Sequence, residues 1–290
     1  MKLIIQIPCY NEENTLPATV EALPREIPGV DSIDYLVVND GSRDKTVEVA
    51  RQCGVRHIVS FARNQGLAVG FMAGLDACLQ LGADVIVNTD ADNQYCGADV
   101  EKLVRPILEG RADIVIGERP IDEIEHFSWL KKKLQHLGSW VVRVASHTDI
   151  PDAPSGFRAF SREAAMKLNV VSEYTYTLET IIQAGRKNMA ILSVPIRTNP
   201  ILRESRLFQG IGQYVKRSIF TILRVFVMYR PLHFFMSLGF CFFGAGFLIG
   251  LRFLVLMFVY DESRGHIQSL LLGIALILIG VQTMILGLQA

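Results

Sequence analysis

The sequence has few cysteines, no net charge and an opening run that is not typical of a leader peptide. Its five cysteines lie far apart and form no Cys-x-x-Cys pair, which is typical of reduced, mostly buried thiols facing the cytosol rather than of a metal site. Lysine plus arginine and aspartate plus glutamate both number 29, so the overall charge gives no argument for a nucleic-acid partner. The opening MKLIIQIPCY is too short an apolar run for a signal peptide and has no small-residue cleavage site. We predict a β-strand there.

The hydrophobic excess is concentrated near the C-terminus. Residues 232–251 and 267–288 each form an uncharged run of about 20 residues, long enough to cross roughly 30 Å of hydrocarbon. A buried core helix is the alternative for one such run, but two in tandem favour membrane spans. Basic residues cluster before the first run, so the positive-inside rule places the N-terminal region in the cytosol. The sequence thus predicts an integral protein of the cell (inner) membrane or of an ER-type membrane.

A stretch of alternating basic and apolar residues precedes the first span. Residues 212–230 place Lys216, Arg217 and Arg224 among apolar side chains, a pattern typical of a helix at a membrane surface. Arg252 lies near the far end of the first span, from which its long side chain can extend to the interface. We therefore predict three regions: a cytosolic domain at 1–209, an amphipathic interfacial helix at 210–230 and two transmembrane helices at 231–290.

Strand and helix patterns alternate in the N-terminal region. Apolar runs bounded by polar residues or glycine predict buried strands, and segments with apolar residues at helical spacing separate them. This alternation is typical of an α/β fold with a mostly parallel sheet and flanking helices. The predicted strands are 2–10, 35–39, 56–61, 85–87, 113–117 and 190–196, and the predicted helices are 15–23, 44–53, 66–81, 98–109, 127–146 and 174–184.

Polar residues follow three of the predicted strands. Because right-handed crossovers put the strand exits at one edge of the sheet, Glu12, Asp40 and the run Asp90-Ala91-Asp92 are expected to converge. Open α/β sheets bind their ligands at this edge. Asp90 and Asp92 offer hard oxygen ligands for a divalent cation that carries nucleotide phosphates. Taken alone, Asp-x-Asp is equally typical of a solvated turn with an Asx hydrogen bond.

Several short motifs occur in a fixed order along the chain. They are Ile7-Pro8-Cys9-Tyr10-Asn11-Glu12, Val38-Asn39-Asp40-Gly41-Ser42, Arg63-Asn64-Gln65-Gly66, Asp90-Ala91-Asp92-Asn93-Gln94 and Ser155-Gly156-Phe157-Arg158. The set resembles the family 2 inverting glycosyltransferases, whose fold is GT-A. Arg203-Glu204-Ser205-Arg206-Leu207 and the two C-terminal spans are similar to the polyprenyl-phosphate branch, which includes the dolichyl-phosphate mannose synthases. The Gln-x-x-Arg-Trp motif of the processive polysaccharide synthases is absent from the sequence.

The resemblance implies a site for Mg²⁺ or Mn²⁺ at Asp90, Asp92 and Gln94. Asp92 and Gln94 alternate on one side of an extended segment, so both side chains can reach one cation. Ala91 between the aspartates leaves room for ribose or phosphate. Asn93 departs from the leucine found more often at that position, a change that bears on the acceptor side rather than on the metal.

A nucleotide base needs a flat slot and a carboxylate that accepts its N–H groups. Pro8, Tyr10, Glu12 and Asp40 supply both at two adjacent strand exits. Two alternatives stay open. Glu12 can cap the helix that follows it, and Asp40 with Gly41 can form a type I turn.

Four basic residues are candidates for phosphate binding. Arg203 and Arg206 fit as clamps on the donor diphosphate, because guanidinium binds phosphate through two hydrogen bonds. A lipid-headgroup contact is the alternative for this pair. Arg119 and Lys133 are candidates for gripping the acceptor phosphate, with a solvated basic helix face as the alternative. The predicted catalytic set is therefore Asp92, Arg119 and Lys133.

The resemblance implies inverting transfer of one sugar from a GDP- or UDP-linked donor to a polyprenyl (undecaprenyl or dolichyl) phosphate. A phosphate monoester is largely ionised near pH 7, so its attack needs no strong general base, and no Ser/His/Asp or Cys/His constellation is found. Two alternatives are the same fold glycosylating a lipid or lipid-linked saccharide hydroxyl, and a non-catalytic nucleotide-sugar-binding membrane protein. The sequence leaves open whether the chain forms a homo-oligomer.

Overall fold

The structure is a computed structural model that describes residues 1–120, 129–146, 148–170, 176–200, 220, 223–224, 227–259 and 267–289. The chain divides into two compact units, Met1–Ser218 and Ile219–Ala290. The interfacial helix predicted at 210–230 lies largely outside the described residues. The region boundaries after 209 and after 230 stay predictions.

The first unit is built from strands and helices in alternation. Its strands are β1 (Lys2–Cys9), β2 (Ser32–Asn39), β3 (His57–Ser60), β4 (Val85–Asn88), β5 (Ile114–Glu118), β6 (Arg158–Ser161) and β7 (Ile191–Pro195). Its helices are α1 (Leu16–Ala22), α2 (Thr46–Gln52), α3 (Leu67–Gln80), α4 (Val100–Leu108), α5 (Trp129–Ser146), α6 (Arg162–Lys167) and α7 (Thr177–Arg186), with a 3₁₀ turn at Gly97–Asp99 before α4.

The strands form one sheet of order β3-β2-β1-β4-β6-β5-β7. Four of the neighbouring pairs are parallel: β1 with β2, β1 with β4, β2 with β3 and β5 with β7. Strand β1 lies inside the sheet and is mostly apolar on both faces, as expected of a parallel sheet covered by helices. Its residues Leu3, Ile4, Ile5 and Ile7 are fully buried. The predicted α/β fold with a mostly parallel sheet and flanking helices is confirmed.

Strand β6 was not predicted from the sequence. It lies antiparallel between β4 and β5, although its four residues, Arg-Ala-Phe-Ser, show neither a long apolar run nor alternation. Arg158 opens it with a fully buried side chain, and an arginine gives no strand signal in a hydropathy pattern. Because Asn88 pairs with Arg158, the turn at 152–156 that precedes β6 comes to the exit of β4.

The second unit consists mainly, in its described part, of two long apolar helices, α8 (Pro231–Val259) and α9 (Ile267–Gln289). They pack through glycines. A Cβ atom at Gly239 would lie 2.8 Å from the carbonyl oxygen of Gly280, and one at Gly246 would lie 2.5 Å from that of Gly273. Such close backbone approach is typical of helices that associate in a bilayer. Both helices are long and apolar enough to cross a membrane.

Candidate active site

The carboxyl ends of β1, β2 and β4 lie at one edge of the sheet because these strands are parallel neighbours. The segments that follow them are in contact. The backbone N–H of Asn11 donates to Oγ of Ser42 at 2.9 Å, and Oγ1 of Thr19 donates to the carbonyl of Ala91 at 3.0 Å. The structure therefore brings together the three exits that were expected to converge.

Asp40, at the β2 exit, is hydrogen-bonded by its own chain. Its carboxylate accepts three hydrogen bonds, from Nδ2 of Asn64 at 2.9 Å and from the backbone N–H groups of Gln65 at 2.6 Å and Gly66 at 3.0 Å. Gly41 beside it has φ of +69°, and a Cβ atom there would lie 2.4 Å from the backbone of this loop. Asp40 thus fixes the 63–66 loop, and a nucleotide base would have to share an oxygen that is already in use.

Glu12, at the β1 exit, is also bound internally. It is buried, and its carboxylate accepts a hydrogen bond from Oγ1 of Thr15 at 2.6 Å. Thr15 is the residue before α1, so this contact fits the helix-start alternative. Tyr10 is 39% exposed, which leaves part of its ring accessible for stacking, and Pro8 is half-buried. The donor-binding roles of these residues stay predictions.

Residues 90–95, which follow β4, are called the metal loop below. Oδ1 of Asp92 accepts the backbone N–H of Gln94 at 3.2 Å, an Asx contact, and Asp90, Asp92 and Gln94 are all half-buried. Burial and the charge of Asp92 raise the pKa of Asp90 to about 7, against the opposing positive charge of Arg119. The raised pKa indicates negative charge that the surrounding residues do not fully compensate.

Tyr95 and Gly156 enclose Asp90, and sequence analysis gave Tyr95 no role. The Tyr95 hydroxyl lowers the pKa of the nearby Asp90, and it accepts the backbone N–H of Gly156 at 3.0 Å. A Cβ atom at Gly156 would lie 3.0 Å from Oδ2 of Asp90, so the missing side chain lets the turn approach the carboxylate. The sequence feature that could have indicated a role for Tyr95 is its position directly after Gln94.

Arg119 follows β5 and is held by Asp152, a residue to which the sequence patterns assign no role. Nε and Nη2 donate to the two carboxylate oxygens at 2.7 and 2.9 Å, and the two side chains are 14% and 1% exposed. Burial alone would lower the pKa of Arg119, but the charge and hydrogen bonds of Asp152 outweigh it and raise the pKa. Arg119 therefore stays charged beside Asp90.

The other predicted phosphate-binding residues are placed only in part. Lys133 lies on α5 with an exposed side chain. Arg203 and Arg206 lie outside the described residues. The phosphate-binding roles of all three, and of Arg119, stay predictions.

Arg158 supports the 152–156 turn from inside the domain. Its fully buried guanidinium donates four hydrogen bonds at 2.6–2.7 Å, to the carbonyls of Ala153, Ser155 and Thr177 and to Oγ1 of Thr180. Burial lowers its pKa to about 10. The two bonds to the turn fix the segment that presents Asp152 to Arg119 and Gly156 to Asp90.

The sequence model of glycosyl transferase family 2 matches residues 4–168, more than half of the chain. The chain belongs to that family. Among curated relatives of this family 2 glycosyltransferase is the UDP-N-acetylglucosamine–dolichyl-phosphate N-acetylglucosaminyltransferase of Methanococcus voltae, 29% identical over 78% of the chain and 96% of that protein. The polyprenol monophosphomannose synthase of Mycolicibacterium smegmatis is 25% identical over 76% of the chain and 85% of that protein.

Solved structures support the fold. Glucosyl-3-phosphoglycerate synthase from Mycobacterium tuberculosis, crystallised with Mn²⁺, UDP and glucosyl-3-phosphoglycerate, superposes with a TM-score of 0.60 at 18% identity and covers 79% of each chain. At this identity the likeness concerns the fold alone. The GT-A fold predicted for this family 2 glycosyltransferase is thereby confirmed.

The donor set of the metal loop suits a hard divalent cation. Mg²⁺ keeps several waters and takes one or two carboxylates together with substrate phosphates, and Asp90 with Asp92 supplies such a pair. Among the described residues, no group of three or more His, Cys, Asp and Glu side chains is placed to hold a metal ion. A cation at the metal loop of this family 2 glycosyltransferase would therefore need the phosphates of the donor to complete its coordination.

Proposed function

We propose that this chain is a metal-dependent inverting glycosyltransferase that moves one sugar from a nucleotide-sugar donor to a polyprenyl phosphate at the cytosolic membrane face. The observation that carries the proposal is the carboxylate pair at the β4 exit, where the pKa of Asp90 is raised to about 7 by burial and by Asp92. A divalent cation bearing the donor diphosphate is the ligand that such a pair recognises.

Donor binding uses the edge of the sheet. Asp90, Asp92 and Gln94 would hold Mg²⁺ or Mn²⁺, which supplies electrostatic stabilisation of the leaving nucleoside diphosphate. Tyr10 and Pro8 would form one wall of the base slot, with Glu12 behind them. The loop that Asp40 fixes would close the other side. These residues bind and orient the donor, and the charge that develops on its phosphate falls next to the metal loop.

Arg119 is the main residue of the proposed acceptor-binding side. Its Nε and Nη2 are used by Asp152, and Nη1 takes no part in that pair, so one edge of the guanidinium is directed elsewhere. We assign Arg119 to the acceptor phosphate, with Lys133 as a second contact. The acceptor is already an oxyanion at neutral pH, so the site has to align the two phosphates rather than remove a proton. The relatives named for dolichyl phosphate and for polyprenol monophosphomannose support this acceptor class.

The two apolar helices indicate that the acceptor approaches the site from a membrane. α8 and α9 are both suited to span a bilayer, and the basic residues that precede α8 favour a cytosolic catalytic domain. A lipid phosphate then reaches the site from the bilayer surface, while the soluble donor arrives from the cytosol.

The test is a transfer assay with full-length protein in nanodiscs, undecaprenyl phosphate, Mg²⁺ or Mn²⁺ and a panel of UDP- and GDP-sugars. We expect one donor to give a glycolipid, and Asp92→Ala to abolish it. Asp76→Ala, which removes an exposed aspartate on α3, is the matched control and should transfer as the wild type does. Absence of any glycolipid across the panel, or full activity of Asp92→Ala, would rule the proposal out.

A further inference from the structure

The chain segment after β7 lies alongside the metal loop. Thr198 and Tyr95 form an antiparallel bridge, and the backbone N–H of Cys96 donates to the carbonyl of Arg197 at 3.2 Å. The segment after β7 and the metal loop are therefore in contact, although they lie about a hundred residues apart in the chain.

Asn199 makes the central contacts of this junction. Its backbone N–H donates to the carbonyl of Gln94 at 2.8 Å. Its side-chain Nδ2 donates to the carbonyls of Asn93 at 3.0 Å and Tyr95 at 3.2 Å. One residue thus satisfies three consecutive carbonyls, and the two amide protons of a single side chain account for two of them.

The loop needs such an anchor because of its backbone conformation. Asn93 has φ of +56°, in the left-handed region that a residue with a Cβ adopts only at a cost and keeps when its surroundings fix it. Asn93 stands between Asp92 and Gln94, so its backbone angles set the directions of both side chains. Nδ2 of Asn199 also lies 3.4 Å from Oδ1 of Asn93.

We propose that Asn199 is a positioning residue that sets the metal affinity of the site by holding the carbonyls of residues 93–95. The proposal rests on the metal site of the proposed function. Outer residues that orient metal ligands change metal affinity by about 10- to 100-fold when they are replaced. We expect a loss in this range when the Asn199 amide is removed.

The neighbouring Arg197 provides a matched control. Its side chain is 64% exposed and pairs with the buried Asp99 at 2.7 Å, and its backbone N–H donates to the same carboxylate at 2.7 Å. The Arg197 side chain therefore anchors the same segment to the start of α4, without a hydrogen bond to the metal loop.

The experiment measures Mn²⁺ affinity in full-length protein, by the electron paramagnetic resonance signal of free Mn²⁺, with UDP in one arm and GDP in the other. Asn199→Ala and Asn199→Asp should each raise the Mn²⁺ dissociation constant about tenfold or more. Asn199→Asp keeps the size of the side chain and gives the same readout if the alanine variant does not fold. Arg197→Ala should lower the unfolding temperature and leave the Mn²⁺ affinity unchanged.

Two results would contradict the role of Asn199 and leave the proposed function intact. One is wild-type Mn²⁺ affinity in both Asn199 variants, and the other is an equal loss in Arg197→Ala, which would indicate general loosening of the segment. If the wild-type protein binds no Mn²⁺ in either arm, the metal site of the proposed function fails together with the inference.

Discussion

Two groups of carboxylates occupy adjacent strand exits and behave in opposite ways. Asp40, after β2, accepts three hydrogen bonds from the 63–66 loop, and Glu12, after β1, accepts one from Thr15. For Asp90, after β4, burial and the negative charge of Asp92 instead disfavour the ionised form, so its pKa rises to about 7. The first group is satisfied by the chain, and the second is left with a charge that a ligand can neutralise.

The difference separates residues that shape a site from residues that perform its chemistry. A carboxylate whose oxygens accept backbone N–H groups fixes a loop and contributes to stability. A pair of half-buried carboxylates whose negative charge is only partly compensated lowers stability and favours a cation. Replacing a residue from the first group should therefore lower the free energy of unfolding, whereas replacing one from the second should lower activity.

The largest expected effect is on catalysis, from Asp92→Ala. Removing this carboxylate takes away a ligand for the cation that stabilises the leaving diphosphate, which is worth several kcal/mol, so kcat should fall by about 1,000-fold or more. Stability should hold or rise, because the repulsion that raises the pKa of Asp90 is relieved. Transfer assays and thermal unfolding on the same preparations measure both. A large drop in unfolding temperature would place Asp92 with the structural group.

The next effect is on stability, from Asp152→Asn. The change leaves Arg119 charged and nearly buried without its bidentate partner, and breaking a buried pair in this way costs about 3–5 kcal/mol. Urea unfolding followed by circular dichroism measures it. Asp149→Asn, an exposed aspartate three residues earlier, is the control and should change the midpoint little. Similar midpoints for both variants would show that the pair contributes little to stability.

A smaller loss of stability is expected from Asp40→Asn. The amide keeps one oxygen acceptor and replaces the other with an N–H donor, which then faces the backbone N–H of either Gln65 or Gly66. At least one part-buried N–H loses its partner, at a cost of about 1–3 kcal/mol. Hydrogen exchange of these two backbone amides should accelerate, while exchange in β5 stays slow. Unchanged protection at 65 and 66 would mean that the loop holds without the carboxylate, and would leave Asp40 free for the base.

Much of the site was predictable from sequence because the strands that carry it are apolar and their exits polar. Asp90 and Asp92 follow such a strand, and parallel topology brings them to Glu12 and Asp40. Asp152 and Asn199 could not be found in this way. Each is a single polar residue in an irregular segment, and its partner, Arg119 or the metal loop, lies far along the chain.

The same limit explains the missed strand. β6 depends on Arg158, whose hydrogen bonds to carbonyls make burial of its guanidinium tolerable. No local sequence pattern predicts such a contact, since a hydropathy scale assigns arginine to the exposed surface. Periodicity therefore predicted elements that are held by apolar packing. It missed β6, which depends on a buried polar network, and the six-residue helix α6 that follows it.

The smallest expected effect concerns acid stability and Asp99, a further structural carboxylate. Burial would raise its pKa, but hydrogen bonds from Arg197 and the nearby Lys102 outweigh burial and lower the pKa to about 2. Because the folded pKa lies below the ordinary value of about 3.9, the stabilisation is present at neutral pH and is lost as pH falls from about 4 to about 2.

Asp99→Asn should therefore lower the urea midpoint at pH 7, and the difference in midpoint from the wild type should shrink by pH 2.5. The gap should stay modest because Arg197 is mostly exposed. A gap that is constant with pH would assign the effect to lost hydrogen bonds alone, with no contribution from the charge of Asp99.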